Sequence, residues 1–324
     1  MVNLEPELIG PCRHPITDGA LIFDDALSGL RQLAPESIHA LISDIPYGIG
    51  VDDWDVLHEN SNSAYLGSSP AQEGKSAFKK RGKPINGWSS GDRDISKQYQ
   101  EWCESWLNSA YDVLVPGASA LIFAGRRYSH RLMVALENCG FTIKDQIAWI
   151  KPNAQHRAQR VSLVYERRGD DLSSKRWQGW RLGNLRPRFE PIIWATKPYP
   201  IGTTIADNIL NFGVGAFHST AFESASSDCA NILEVGMHKD EDRIHPTQKP
   251  LALMTALVEL VSTPGQIILD PFAGSGTTLV AAKKSGRRFI GFENNEIFFT
   301  RASERIEGTH KANVNGRFIE AQSS

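Results

Sequence analysis

Two acidic residues flank a glycine-rich turn near the end of the sequence. Asp270 comes just before Gly274 and Gly276, and Glu293 follows them after a helical segment and a second apolar run. Glycines in such a turn let the backbone bend sharply and approach a ligand closely. An acid roughly 20 residues beyond the glycines can accept hydrogen bonds from both ribose hydroxyls of an adenosine. The spacing therefore predicts an adenosine-containing ligand at this turn.

Two details distinguish between the candidate ligands. The third glycine of a dinucleotide-binding turn falls on Leu279, and Asp270 stands where it would repel a pyrophosphate. A carboxylate there suits a ligand with positive groups, such as the ammonium and sulfonium of S-adenosylmethionine. We therefore predict S-adenosylmethionine as the cofactor, with an NAD-dependent oxidoreductase as the disfavoured alternative.

A second set of reactive residues follows an apolar run at 37–42. Its members are Asp44, Ile45, Pro46 and Tyr47, and the simpler interpretation is a turn after a strand. The functional interpretation rests on amine chemistry, because the lone pair of an exocyclic amino group on adenine or cytosine is delocalised into the ring. The Asp44 carboxylate and the Ile45 carbonyl would stabilise positive charge that develops on this nitrogen. Tyr47 offers a flat face on which an extruded base can stack.

Three motifs in one order resemble the β class of the amino-group DNA methyltransferases. Residues 44–47 are similar to the D-P-P-Y motif of that family, residues 270–276 to its S-adenosylmethionine loop, and residues 245–250 to the segment that precedes this loop. One position departs from the pattern, since Ile45 replaces the first proline; the backbone carbonyl is kept but the loop is less rigid. The family tends to have aspartate first for adenine N6 and serine first for cytosine N4, so Asp44 favours adenine.

The resemblance implies methyl transfer from S-adenosylmethionine to the N6 amino group of adenine in duplex DNA, by base flipping, in a restriction-modification setting. No metal is expected, because the sulfonium is already a good leaving group. The alternatives are methylation of cytosine N4 and a non-catalytic DNA-binding regulator that retains a cofactor fold. The expected cofactor contacts are Asp270, Pro271, Phe272, Ala273, Gly274, Ser275, Gly276, Thr277, Glu293, Asn294, His245, Thr247 and Lys249.

Short apolar runs alternate with helical segments around these motifs. This alternation predicts an α/β fold with a doubly wound, mostly parallel sheet. The resemblance implies that this sheet is of the seven-stranded methyltransferase type and carries an inserted DNA target-recognition region. Thr277 or Thr278 is expected to cap the helix after the glycine loop. Strands are predicted at 18–25, 37–42, 118–124, 141–150, 191–195, 266–269 and 288–293, and helices at 26–33, 99–114, 129–138, 251–261, 277–285 and from 294 to 306.

The chain divides into three parts by composition and motif. Residues 1–150 carry the catalytic motif, with a flexible surface insertion at 51–97 that is rich in Ser, Gly, Asn and Lys. Residues 151–243 form the basic and target-recognition region, from which a strand at 190–196 returns to the core, with Glu190 at a family-like position. Residues 244–324 carry the cofactor-binding half.

A basic segment covers residues 151–188. It holds ten Lys or Arg against three acids, a net charge of +7 within a chain of formal charge −2, and three aromatic residues lie among the charges. A solvated basic loop is the simpler alternative, but charge and aromatics concentrated together favour contacts with a DNA backbone. The expected contacts are Lys151, Arg157, Arg160, Arg167, Arg168, Lys175, Arg176 and Arg181.

The composition of the 324 residues, 41% hydrophobic and 22% charged, is that of a soluble globular protein. No stretch reaches the apolar length of a membrane span, so no membrane association is expected. The four cysteines are widely scattered, which predicts buried reduced thiols in a cytoplasmic protein. The resembling family includes dimers, so a homodimer is an expectation from the resemblance alone.

Overall fold

The computed structural model describes residues 13–16, 18–47, 90–152, 154, 158–182, 185–223, 225–226, 229–238, 241, 244 and 247–309. Its strands are β1 (Arg13–Ile16), β2 (Gly19–Phe23), β3 (Ile38–Asp44), β4 (Leu114–Phe123), β5 (Thr142–Ile150), β6 (Gln159–Arg160), β7 (Arg181–Leu182), β8 (Phe189–Thr196), β9 (Ile232–Glu234), β10 (Ile267–Asp270) and β11 (Arg288–Glu293). Its helices are α1 (Ala26–Leu30), α2 (Ser90–Val113), α3 (Ser129–Asn138), α4 (Val161–Glu166), α5 (Asp171–Arg176), α6 (Ile205–Phe212), α7 (Ser219–Glu223), α8 (Leu251–Val261), α9 (Thr277–Lys284) and α10 (Glu296–Glu307).

Nine strands of the described chain form one sheet in the order β1-β2-β11-β10-β3-β4-β8-β5-β9. The pairs from β2 to β4 are all parallel, β8 runs antiparallel between β4 and β5, and β1 is antiparallel to β2. The strand β10 leads through α9 to β11 on one side, whereas β3 leads through α2 to β4 on the other. Successive strands are therefore added in opposite directions on the two sides of the boundary between β10 and β3, and such a switch point is where open α/β sheets bind their ligands. The expected doubly wound, mostly parallel sheet is confirmed.

The sheet is buried on both faces, as mostly parallel sheets are. Along β3, Leu41 faces the core beneath α1, α2 and α3, whereas Ala40 and Ile42 face the core beneath α7, α8, α9 and α10. The same alternation continues in β4, where Ile122 faces the first core and Leu121 the second. The carboxyl ends of the central strands consequently open at one edge, between two rigid helical layers.

The helix α2 begins at Ser90, well before the start at 99 that its aromatic spacing predicted. The last residues of the predicted flexible insertion, 90–97, are therefore helical, and Ile95 of this turn is fully buried. A helical pattern in polar residues with a single apolar anchor is weak in sequence, which explains the difference. The rest of that insertion, residues 51–89, lies outside the described chain. Trp106 anchors α2 in the core, since it is only 1% exposed.

Described residues between 197 and 234 also pack against the sheet. The helix α6 covers β4, where the buried Asn208 amide donates to the carbonyls of Pro116 and Val214. Phe222 of α7 belongs to the core beneath α8, and β9 extends the sheet beside β5. The mixed Gly, Ser and Asn composition of this region concealed these few anchoring residues.

The basic segment forms a small unit of its own. The strands β6 and β7 pair antiparallel, and α4 and α5 lie between them in the chain. Within the described residues of α4 and α5 no side chain is buried. The unit therefore presents nearly all of its surface outward.

Cys103 and Cys139 are buried and Cys229 is half-buried, and these three are thiols outside any disulfide, whereas Cys12 lies outside the described residues. Among the helices described, none combines the length and the apolar character needed to cross a bilayer.

Candidate active site

The two predicted motifs meet at the carboxyl edge of the sheet. The strands β3 and β10 are parallel neighbours, with Leu41 opposite Leu269. Just beyond this pair, the Ser43 hydroxyl donates a hydrogen bond of 2.6 Å to Oδ1 of Asp270. The Asp44 loop (residues 44–47) and the glycine loop (residues 270–276) therefore start side by side, as their positions at the ends of two strands implied.

Asp270 is a buried carboxylate that ties the two strand ends together. It is 2% exposed, and Oδ1 also accepts from the backbone N–H of Phe272 at 3.2 Å. Burial raises the pKa of Asp270 from 3.8 to about 6, although the hydroxyls of Ser43 and Thr278 oppose the shift. Among the described residues this carboxylate thus accepts hydrogen bonds from the protein itself. No local pattern in the sequence indicated that Ser43 would be its partner.

The glycine loop takes the left-handed conformation that its glycines permit. Gly274 and Gly276 have φ angles of +50° and +69°. A Cβ on Gly276 would stand 3.2 Å from both Ala302 and Ile306 of α10, so this glycine also allows close packing. Among the described residues, a Cβ on Gly274 would meet only the Phe272 carbonyl, at 4.0 Å, so this part of the chain leaves the space in front of Gly274 open.

The expected threonine cap of α9 is wrong. The N-cap residue is Gly276, with no side-chain cap bond, and Thr277 is already helical. The Thr277 hydroxyl instead meets the Ser275 hydroxyl at 2.9 Å and accepts from Nη1 of Arg305 at 2.7 Å. The left-handed glycine reaches the helix directly, which leaves the threonine to hold the loop to α10.

Arg305 and Glu241 anchor the loop from behind, and motif reasoning missed both. Arg305 donates to the Ser275 carbonyl at 3.0 Å and pairs with Glu241 at 3.4 Å. Glu241 also accepts from the backbone N–H of Leu251, the first residue of α8. A carboxylate at a helix N-terminus is favourable because it satisfies unpaired N–H groups there. The pair therefore links the glycine loop to the segment before α8.

Glu293 ends β11 beside the glycine loop. Its Oε2 accepts from the Gly274 N–H at 2.8 Å and its Oε1 from the Asn295 N–H at 2.9 Å. Burial raises the pKa of Glu293, against the effect of these backbone bonds. Its position at the end of the strand next to β10 is the one that the spacing predicted.

The other predicted cofactor residues differ in exposure. Pro271, Ala273, Ser275 and Thr277 are buried within the loop, Phe272, Gly274 and Thr247 are half-buried, and Asn294 is exposed. The Phe272 ring packs on Trp106 of α2, with 5.2 Å between centroids. His245 lies outside the described residues.

The Asp44 loop is fixed by its isoleucine and its tyrosine. Ile45, the departure from the family motif, is 2% exposed and belongs to the core beneath α2, so burial replaces part of the stiffness that a proline would give. The Pro46 carbonyl accepts from the Tyr99 hydroxyl at 3.3 Å. Tyr47 packs over Gly125, where an added Cβ would approach it to 3.1 Å, and its hydroxyl donates to Oδ1 of Asp44 at 2.9 Å.

Lys249 lies on the Asp44 carboxylate, although the sequence assigned it to the cofactor. Its side chain is 5% exposed, and its ammonium contacts Oδ2 of Asp44 and lies 3.3 Å from the Tyr47 hydroxyl. The ammonium also stands over the rings of Phe123 and Trp149, at 4.9 and 5.9 Å. The segment before α8 turns toward β3 here, a contact across 205 residues of sequence that no local pattern reveals.

Glu190 and Lys151 complete this cluster from the antiparallel part of the sheet. The Glu190 carboxylate contacts the Lys151 ammonium and lies 3.7 Å from that of Lys249. Lys151 was expected to meet DNA phosphates, but it follows β5 directly, and Trp149 of that strand pairs with Glu190, which brings the two charges together. Two carboxylates, two ammonium groups and one phenol thus form a half-buried set with no net charge.

The carboxylates of this set differ in their acidity. Burial raises the pKa of Asp44, and the nearby Glu190 adds to the shift, whereas Lys249 opposes it. Burial also acts on Glu190, but Lys249 and Lys151 outweigh it and hold the pKa of Glu190 below its usual value. Burial raises the pKa of the Tyr47 phenol as well. Asp44 is therefore the carboxylate of this set that is protonated more readily.

The remaining predicted DNA contacts are exposed on the basic unit. Arg168 and Arg176 stand beside the rings of Tyr165 and Trp177, each at 5.9 Å, and Trp180 is 62% exposed. The exposed basic residues are Arg160, Arg167, Arg168, Lys175, Arg176 and Arg181, whereas Arg157 lies outside the described residues.

Comparison with known proteins agrees with this geometry. A family model for N6 and N4 methyltransferases, described as DNA methylase, matches residues 38–304. The chain belongs to the DNA methylase family. It is 50% identical over 294 residues to the Type II methyltransferase M.HindIII of Haemophilus influenzae, a match that covers 89% of this chain and 95% of the relative. It is also 26% identical to the Type II methyltransferase M2.DpnII of Streptococcus pneumoniae, over 90% of this chain and 91% of the relative.

Solved structures share the fold of this DNA methylase at low sequence identity. The cytosine-N4-specific PvuII DNA methyltransferase matches with a TM-score of 0.57 and 15% identity, over 93% of this chain and 97% of that chain. A putative DNA modification methylase of Thermus thermophilus, in complex with S-adenosyl-L-methionine, matches with a TM-score of 0.53 and 20% identity, over 88% and 92%. These two likenesses support the sheet topology described above.

Proposed function

We propose that this DNA methylase transfers a methyl group from S-adenosylmethionine to the N6 amino group of adenine in duplex DNA. The observation that carries the proposal is the hydrogen bond between Ser43 and Asp270, which fixes the Asp44 loop beside the glycine loop. An acceptor for an amine and a turn suited to an adenosine thereby share one crevice. The relatives named as Type II methyltransferases support a restriction-modification role.

The residues of the glycine loop suit the cofactor. The described residues leave the space in front of Gly274 open, and the buried Asp270 and half-buried Glu293 carboxylates stand on either side of the loop. Glu293 would accept the ribose hydroxyls, Asp270 would face the positive methionine end, and the loop backbone would support the adenosine. When bound, S-adenosylmethionine supplies a methyl group on a sulfonium, which needs no metal to leave.

Asp44 performs the chemistry that the protein itself must supply. In the proposed reaction the nitrogen of the flipped base would form a bond to the methyl carbon while the carbon–sulfur bond breaks, which would leave a neutral thioether. The nitrogen would then lose one proton to solvent. The Asp44 carboxylate and the Ile45 carbonyl accept from the amino group, which favours a tetrahedral nitrogen and stabilises its developing charge. Holding the two reactants at one edge of a rigid sheet lowers the entropic part of the barrier.

Duplex DNA would bind against the exposed basic unit at residues 158–182. Arg168 and Arg176 lie beside the half-buried rings of Tyr165 and Trp177, and Trp180 is exposed, an arrangement suited to phosphates and unstacked bases. The division of the chain into catalytic, recognition and cofactor parts, a cytoplasmic location and a homodimer belong to the same proposal. Gel filtration with light scattering tests the dimer.

A methylation assay tests the proposed function directly. The protein is incubated with unmethylated plasmid and S-adenosylmethionine, and the DNA is digested to nucleosides and analysed by mass spectrometry. We expect N6-methyl-2′-deoxyadenosine among the nucleosides and expect it to be lost in Asp44→Ala. Asp207→Ala, on the surface of α6, is the control and should keep the product. N4-methylcytosine as the product would refute adenine as the target, and full activity of a folded Asp44→Ala protein would refute the mechanism.

A further inference from the structure

Lys249 places a buried positive charge against the group that should accept the target amine. Oδ1 of Asp44 accepts from the Tyr47 hydroxyl and Oδ2 from the Lys249 ammonium, so both oxygens are held by protein donors. A carboxylate offers about four acceptor positions, and each oxygen thus retains one for the amino group. The two donors fix the plane of the carboxylate and still leave it positions at which it can accept hydrogen bonds from the amino group.

The same ammonium is shared with a second carboxylate. Lys249 lies 3.7 Å from Glu190, which in turn contacts the ammonium of Lys151. The Lys151 and Glu190 side chains are 27% and 17% exposed, whereas Lys249 is 5% exposed. The charges therefore form a continuous row from Lys151 through Glu190 and Lys249 to Asp44, in which each group limits the effect of the next.

We propose that Lys249 is the positioning residue that keeps Asp44 ionised and oriented, and that Glu190 moderates its influence by competing for the same ammonium. This inference rests on the proposed methyl transfer at Asp44. A neutral Asp44 would lose the charge that stabilises the cationic nitrogen, and burial raises the pKa of Asp44 and so favours this neutral form. Lys249 thus acts through Asp44 and does not contact the cofactor.

The other charged or titratable groups around Asp44 come from separate elements. Tyr47 lies on its own loop, Lys249 precedes α8, Glu190 lies on β8 and Asp270 ends β10, where the Asp44 charge contributes to its raised pKa. Lys151 acts on this set through Glu190. The substitutions below change Lys249 or Glu190 and leave the remaining groups in place.

The two substitutions should move the acidity of Asp44 in opposite directions. In Lys249→Met the ammonium no longer opposes the effect of burial on Asp44, although the Tyr47 hydrogen bond still does. The acidic limb of kcat/KM for DNA should therefore move up by about 1–3 pH units, with activity recovered at higher pH. In Glu190→Gln a like charge disappears and Lys249 is left to Asp44, so the limb should move down. Lys249→Arg keeps the positive charge, so its acidic limb should lie close to that of the wild type.

A cofactor-binding role for Lys249 makes a different prediction. It requires Lys249→Met to weaken S-adenosylmethionine binding, measured by calorimetry, with no movement of the acidic limb. We expect the dissociation constant of the cofactor to change by less than about twofold. Lys197→Met removes another buried lysine, one that donates to the carbonyls of Tyr111 and Leu114, and is the control for a purely structural effect. Lys197→Met should leave both the acidic limb of kcat/KM and the cofactor affinity unchanged.

A measurement independent of activity separates this inference from the proposed function. Aspartates are labelled with ¹³C at the carboxyl carbon, the Asp44 signal is assigned from its loss in Asp44→Asn, and its pKa is read by NMR titration. A higher Asp44 pKa in Lys249→Met and a lower one in Glu190→Gln would support the inference even if the wild type transferred no methyl group, an outcome that would refute only the proposed function. An active wild type with an unchanged Asp44 pKa in both variants would overturn the inference. If Lys249→Met does not fold, the sign of the Glu190→Gln shift decides alone.

Discussion

Replacement of Asp270 by asparagine should stabilise the protein at neutral pH. The pKa of Asp270 rises from 3.8 to about 6 in the folded state, mainly through burial of a side chain that is 2% exposed. The folded state therefore binds more protons than the unfolded state between these two values, and the free energy of unfolding decreases as the pH rises through this window. Above it, the folded protein carries the full cost of an ionised buried carboxylate.

The magnitude follows from the shift. A difference of roughly two pH units corresponds to about 3 kcal/mol at pH 7.5, and only about half of this remains at pH 5. Asparagine keeps an acceptor for Ser43 and the Phe272 N–H, but its NH₂ group cannot accept from Thr278, which costs about 1 kcal/mol. We expect Asp270→Asn to raise the free energy of unfolding by roughly 1–2 kcal/mol at pH 7.5 and by less than about 1 kcal/mol at pH 5.

Urea unfolding at the two pH values measures both numbers. Asp207→Asn is the matched control, because Asp207 is an exposed carboxylate whose pKa its bonds to Thr204 hold below the usual value. The ionised Asp207 stabilises the fold at both pH 7.5 and pH 5, because it is protonated only below the window between the two Asp270 pKa values. Asp207→Asn should therefore lower the free energy of unfolding equally at the two pH values. A folded Asp270→Asn protein that is less stable than the wild type at pH 7.5, or whose stability change is the same at both pH values, would refute the assignment of a costly buried charge.

Three further outcomes are expected. Ser43→Ala should lower the free energy of unfolding at neutral pH by about 1–3 kcal/mol and raise the pKa of Asp270 further, because a buried carboxylate loses its hydroxyl donor; urea unfolding and ¹³C titration check the two effects. Glu241→Gln and Arg305→Met should couple by about 0.5–3 kcal/mol in a double-mutant cycle of stability, and an additive pair would contradict their direct contact. Replacing both basic residues 175 and 176 by glutamine should reduce the slope of log affinity for DNA against log salt by about 2, whereas the exposed Lys97→Gln on α2 should not.

Local patterns in the sequence predicted the parts of the fold that short segments determine. The helices α3 and α8 have the predicted bounds, since Gly140 follows the end of α3 and Pro250 directly precedes α8. The adjacency of the two motifs was predictable as well, because parallel strands place their carboxyl ends at one edge of the sheet. The start of α2 was not, since Ser90 and its neighbours carry almost no apolar signal.

Contacts between distant segments were beyond the reach of sequence patterns. Lys249 was assigned to the cofactor because its segment precedes the glycine loop, yet its ammonium lies on a residue 205 positions earlier. Arg305, at the end of a helix that looked merely terminal, holds the glycine loop through Ser275. In each case a long flexible side chain reaches across an edge that several elements share, and spacing along the chain does not encode that reach.

The antiparallel strand β8 explains why the active-site cluster contains a second carboxylate. Parallel strands bring only their last residues to the carboxyl edge, as β3 brings Asp44 and β10 brings Asp270. Because β8 runs the other way, its beginning lies at this edge, and Glu190 stands beside the ends of β4 and β5. Were β8 parallel, Glu190 would lie at the opposite edge and Lys249 would have Asp44 as its only carboxylate partner in the cluster. The reversal of one strand thus supplies the competing charge that lets Lys249 support Asp44 without neutralising it.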